Sequence, residues 1–152
     1  MPQNRKYSIY EAADILQQAA VLHLVTKHTD YGTGEKYTSV EVHTLSYIIC
    51  NYGITVTDLA RDIGKTKSAI SQMVKKLEGK GLIYRESDPT NDRKVILYAT
   101  EAGIELHKMH KKYDTEVFGR SYKALIEMLS ESEVNDAWTV LNEWVQIRRR
   151  FN

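Results

Sequence analysis

Residues 56 to 77, VTDLARDIGKTKSAISQMVKKL, hold two short amphipathic patterns separated by one glycine and a few polar residues. Val56, Leu59, Ala60 and Ile63 recur at helical spacing and stop at Gly64. Ile70, Met73, Val74 and Leu77 follow at i, i+3, i+4 and i+7, the packed face of a second helix running from Thr66 to about Lys80 and closed by Gly81. Ser68, Ser71, Gln72 and Lys75 repeat that spacing two residues out of phase, which places them about 200° around the helix. The second helix is thus anchored by an oily side and presents hydroxyls, an amide and a lysine outward. Those groups suit a DNA major groove: Gln pairs with adenine, Lys reaches guanine or phosphate, and Ser contacts either. A short helix joined by a tight turn to an exposed polar one is the helix-turn-helix arrangement, in which the first braces the second.

Four Ser or Thr residues, each followed three positions later by Glu or Asp, mark helix starts: Ser8/Glu11, Thr38/Glu41, Thr55/Asp58 and Ser130/Glu133. Each pair satisfies orphan amide protons reciprocally as a capping box. After Ser8, Ala12, Ile15, Leu16, Ala19 and Leu22 predict a helix to about Thr26, and a polar loop, DYGTGEKY, occupies residues 30 to 37. Val42, Leu45, Ile48, Ile49 and Tyr52 predict a second helix stopped by Gly53. Beyond the helix-turn-helix, residues 82 to 85 and 94 to 99 are β-prone runs flanking the turn-rich ESDPTND, the pattern of a short hairpin. Helical spacing then returns, with Ala102, Leu106, Met109, Tyr113 and Val117 on one face, Tyr122, Leu125, Ile126 and Leu129 continuing it, and Val134, Ala137, Trp138, Leu141 and Val145 forming the last. The expected fold is mainly α with a small β-hairpin wing. Residues 1–37 and 101–152 form a dimerisation region around a DNA-binding domain at 38–100, the first and last helices burying each other's stripes in a homodimer.

Charge placement supports the same reading. The 152-residue chain is net +1, but residues 61 to 94 hold nine cations against five anions, leaving the remainder at −3. Positive charge therefore gathers on the helix-turn-helix and hairpin, where a polyanion would need it. With 42% apolar residues the chain has material for a real core. A single cysteine, Cys50, excludes a disulfide framework and a multi-cysteine zinc site, and neither a signal-peptide pattern nor a membrane-spanning stretch is present, so a cytoplasmic protein with no membrane partner is expected.

On VTDLARDIGKTKSAISQMVKKLEGKGLIYR followed by DPTNDRKVILYATEAG, the chain resembles the MarR family of winged-helix transcriptional regulators over roughly residues 8 to 150. The family's wing carries Asp-x-Arg and ends in Leu-Thr-x-x-Gly. Counting back from Thr100 puts Asn91 and Arg93 on the first motif, with Asn in place of Asp, and Ala99 in place of Leu. Either Asn91 holds the wing arginine more weakly than an Asp would, or neighbouring Asp92 substitutes. The resemblance implies a homodimer on a pseudo-palindromic operator, a small-molecule effector in a cleft between the dimerisation and DNA-binding regions, and repression relieved by that ligand. The expected contacts to double-stranded DNA are Lys65, Thr66, Lys67, Ser68, Ser71, Gln72, Lys75, Lys76, Asn91, Arg93 and Lys94, with Arg93 entering a minor groove.

Other residues carry weaker signals. His107 and His110 form His-x-x-His on a helix, with Glu41 and His43 as companions for a metal. Some MarR relatives sense zinc with such ligands, but the histidine-rich run seen there is missing, and neither a metal nor a cofactor is expected. Cys50 adjoins Ile48 and Ile49 and reads as a buried structural thiol. Arg148, Arg149 and Arg150 complement a helix C-terminus. No catalytic constellation stands out, so an enzyme is not expected. The rival readings are a zinc-responsive regulator and a helix-turn-helix module that binds protein.

Overall fold

The computed structural model describes residues 6–23 and 28–151, and the side chains of His23, Asp92 and Arg93 lie outside that description. In chain order the elements are α1 (Ile9–His23), β1 (Thr29–Asp30), β2 (Lys36–Tyr37), α2 (Ser39–Cys50), α3 (Val56–Ile63), α4 (Lys67–Gly79), β3 (Ile83–Asp88), β4 (Asn91–Ala99), α5 (Glu101–Met128) and α6 (Glu131–Arg150). The expected continuation of α1 to Thr26 falls outside the described residues.

All four capping boxes form. In each, the hydroxyl oxygen accepts from the amide three residues on, while the carboxylate accepts from the cap's own amide. The helix ends are equally local. Gly64 adopts φ 69°, its N–H donating to the Arg61 carbonyl while Lys65 N–H donates to Ala60, which is a Schellman closure. Gly81, at φ 68°, closes α4 in the same way through Glu78 and Leu77. Two left-handed glycines thus fix the directions in which the chain enters and leaves the α4 region.

The core gathers Val42, Leu45 and Ile48 of α2, Leu59 of α3, Ile70, Val74 and Leu77 of α4, Leu82, Ile83 and Leu97 of the hairpin, and Leu106 of α5. Strands β3 and β4 pair antiparallel from Ile83↔Ala99 to Asp88↔Asn91, so only Pro89 and Thr90 form the tip. The hairpin is longer than the sequence pattern suggested. Most of ESDPTND is strand, because Glu86, Ser87 and Asn91 stand exposed while the backbone continues the ladder; a bulge follows Ser87. Leu97 N–H also donates to the Ile54 carbonyl, stitching the hairpin to the entry of α3.

The end of β4 explains the Thr-x-x-Gly motif. Thr100 caps α5, accepting from Gly103 N–H and donating its hydroxyl to the Gly81 carbonyl at 2.6 Å. A Cβ on Gly103 would run into the Leu82 carbonyl oxygen. Hairpin, α4 exit and α5 start are therefore clamped at one point, and only glycine allows the approach.

Four expectations need correction. The loop at residues 30 to 37 contains a two-residue β1–β2 pairing, folded around Asp30, whose carboxylate accepts from the amides of Gly32, Thr33 and Gly34. Cys50 is exposed, since the buried stripe of α2 is Val42, Leu45 and Ile48 and a residue two beyond Ile48 turns away from it. Tyr52 lies past the helix end and is exposed as well. Of the stripe expected on α5, Leu106 is buried, whereas Tyr113 and Val117 are exposed within the single chain.

Candidate nucleic-acid interface

α4 rests on α3 through Ile70, Val74 and Leu77, all buried, with Met73 packed against their edge. That seating decides which residues face out. Ser68, Gln72 and Lys75 are exposed and Ser71 is half-buried, so the four residues expected on the outer face lie on it. Lys65, Thr66 and Lys67 are exposed at the entry to the helix. Thr66 is also the N-cap, its hydroxyl oxygen accepting from Ala69 N–H at 3.2 Å. The first turn of α4 contains no acidic residue, so the positive end of its dipole is not countered and faces solvent beside Lys65 and Lys67.

The cations of this region fall into two sets. Arg61 is held by Asp58 and Asp62, Arg85 pairs with Glu78 at 2.8 Å, and Lys94 reaches Asp88 at 3.3 Å. Lys76 and Lys80 both converge on Glu41 Oε1, at 3.2 and 3.3 Å. Among the described residues, Lys65, Lys67 and Lys75 form no ion pair. All three lie on α4 or its entry, so the counted excess of charge becomes available at one surface.

Glu41, read from the sequence as a capping carboxylate and as a companion for a metal, has a further role. Its side chain is 1% exposed and sits beneath α4. Burial pushes its carboxyl up, but Thr38 N–H at 2.7 Å, the Thr38 hydroxyl at 2.8 Å and the two lysines outweigh this and hold it down at about 2. A capping carboxylate thus doubles as the anchor that ties α4 to α2. Lys76, expected on DNA, spends its charge there while half its side chain stays exposed. The signal was legible only in part, because the capping box gives Glu41 a local role and nothing local marks its long-range one.

On the wing, Asn91 opens β4 opposite Asp88 and is exposed. Lys94 is half-buried beside Asp88. Arg93 lies on β4 and its side chain is outside the described residues. At the base of the hairpin, Tyr84 stacks on Tyr98 and Tyr52 meets Tyr98 edge-on, with centroids 5.5 and 5.7 Å apart. The His-x-x-His pair is not brought together: His107 Nδ1 lies 2.8 Å from Ser46 Oγ, and His110 turns to Asp114. Among the described residues no helix is long and apolar enough to cross a membrane.

Comparison with known proteins agrees with this geometry. The family model described as MarR family matches residues 37–95. An uncharacterized HTH-type transcriptional regulator of Bacillus subtilis, YhjH, is 30% identical over 105 residues, a match spanning 69% of this chain and 59% of that protein's length. Among solved structures, Streptococcus pneumoniae FabT in complex with DNA superimposes with a TM-score of 0.68 at 20% identity, covering 93% of this chain and 94% of that one. The S. aureus MepR–DNA complex gives 0.64 at 23% identity, covering 93% and 98%. These likenesses show the winged-helix fold, and the family and relatives are transcriptional regulators rather than enzymes. Residues 37–95, the winged domain with its clamped hairpin and outward-facing α4, match the MarR family.

Proposed function

We propose that the protein is a sequence-specific DNA-binding transcriptional regulator, acting in the cytoplasm as a homodimer on a pseudo-palindromic operator and releasing it when a ligand binds. The observation that carries this reading is the outer face of α4. Ser68, Gln72 and Lys75 stand exposed on a helix locked from behind, beside unpaired Lys65 and Lys67. Such a helix presents donors and acceptors to base edges while its entry meets phosphate. Asn91, Arg93 and Lys94 on β4 would contact the flanking backbone and minor groove. That FabT and MepR were solved with DNA supports the proposal at the level of fold.

Dimerisation through the chain ends is supported by surface that the single chain leaves open. α1 exposes Ile9, Tyr10, Ile15, Val21 and Leu22, and α6 with the end of the chain exposes Val140, Trp144, Ile147 and Phe151. Two copies would place two α4 helices on one duplex, and both can dock only when about 34–36 Å separates them. A ligand that changes this separation releases DNA. For the effector, a cavity of about 220 Å³ between α2, α3 and the end of α6 is lined by Tyr47, Arg61, Asp62 and Arg149. It lies where the winged domain meets the terminal region, with Arg149 over the Tyr47 ring.

Fluorescence anisotropy with a selected duplex tests the reading. Affinity should fall steeply with salt, and Lys75→Ala should reduce the slope of log K against log salt by about 1. A protein-binding module would retain no duplex affinity even at low salt.

A further inference from the structure

Two histidines and a carboxylate from different helices meet where the winged domain joins α5. His110 is buried, and its Nε2 lies 2.9 Å from Oδ2 of Asp114, one turn further along the same helix. His43 comes from α2 and sets its ring edge-on to His110, centroids 4.8 Å apart. One ligand atom from each of His43, His110 and Asp114 lies within 4.8 Å of the other two. Tyr31 meets the His110 ring edge-on at 5.2 Å and flanks the corner.

We propose that His43, His110 and Asp114 bind a divalent transition cation of the zinc type, filling three positions and leaving a fourth to water. Two imidazoles and a carboxylate form the donor set that suits zinc and its neighbours and disfavours magnesium or calcium, which take oxygen ligands. The i, i+4 spacing of His110 and Asp114 puts both on one face of a rigid helix, and α2 brings the third ligand against that face. Around a tetrahedral zinc with bonds of about 2.0–2.1 Å, ligand atoms lie about 3.3–3.5 Å apart, inside the 4.8 Å within which these three lie. The second imidazole gives the corner its chelating character.

The ion would bridge α2 to α5 and so stiffen the joint between the winged domain and the helix leading to the chain end. Any effect on DNA affinity rests on the proposed function, but the site itself does not. The test therefore omits DNA. Full-length protein freed of metal by chelation is titrated with Co²⁺ alone, read by visible absorption, and then with Zn²⁺ against a chromophoric chelator. One ion per chain is expected, with the intense bands of a four-coordinate site that Zn²⁺ displaces. His43→Ala and Asp114→Asn, both at residues with exposed surface, should weaken uptake by more than about tenfold with the far-ultraviolet circular dichroism unchanged. His107→Ala, whose residue is engaged by Ser46, should leave it intact. No uptake by the folded wild type, or uptake unaltered by either site substitution, would overturn the proposal and leave the DNA-binding reading standing.

Discussion

Residues 37 to 106 hold nearly all of the buried apolar core, whereas the two ends of the chain display most of their apolar stripes. Leu45, Leu59, Val74 and Leu77 are wholly buried within one core cluster drawn from several elements. α1 follows the same helical period but leaves Ile9 at 92% exposure and Leu22 at 77%. The far half of α5 exposes Val117, Phe118, Ile126 and Met128, and only the first three turns of that helix carry buried residues. Identical periodicity therefore has two meanings. In the winged domain it describes a finished core, and at the ends it describes surface that requires a cover, far larger than scattered apolar residues would give.

Substitutions sharpen this contrast. Leu45→Ala or Leu59→Ala should cost about 2–5 kcal/mol in denaturant unfolding, because each opens a cavity in a packed interior. Leu22→Ala should stay within about 0.5 kcal/mol for the dilute monomer, yet shift the monomer–dimer equilibrium measured by sedimentation. Equal losses for Leu22 and Leu45 in the monomer would erase the distinction between the regions.

Glu41 tests how firmly the winged domain holds α4. Its carboxyl sits at about 2 in the folded state, below its ordinary value of 4.5. A depressed carboxylate contributes stability that is complete above the unfolded pKa and lost as pH falls toward the folded one. The native protein should therefore lose on the order of 2–3 kcal/mol at this group between about pH 4.5 and pH 2. Glu41→Gln should remove most of that dependence and lower stability at neutral pH, leaving the lysines without their counter-charge. A pH profile identical to wild type would show that the Lys76–Glu41–Lys80 contact does not secure the helix.

Two glycines test the clamp at the α5 start. Gly103→Ala drives a methyl group into the Leu82 carbonyl and should cost about 1–3 kcal/mol. Gly79→Ala meets nothing within 4 Å and should stabilise by about 0.4–1 kcal/mol. A reversed order in thermal unfolding would remove the clamp from the account.

The features most legible in the sequence are those whose partners lie within a few residues. The capping boxes, the glycine closures after α3 and α4, and the outward face of Ser68, Ser71, Gln72 and Lys75 need only one turn of helix to define them. The wing was read too short because Glu86, Ser87 and Asp88 look like turn residues, although strand faces open to water tolerate them. Lys76 and His107 carry no local sign of their contacts for another reason. Their partners, Glu41 and Ser46, lie on α2 and meet them only after the chain has folded. Asp114 carried a faint signal, four residues beyond His110, that an eye fixed on paired histidines passes over.

The central claim is that two copies of the α4 face read one duplex. Hydroxyl-radical footprinting on a fragment selected from random DNA tests it most directly, comparing the wild type with Lys75→Glu. The account predicts two protected patches related by a pseudo-dyad and centred about 10 base pairs apart, or a multiple of that spacing, both lost in the variant. Protection that persists undiminished in the variant, or a single patch with no symmetric mate, would contradict it.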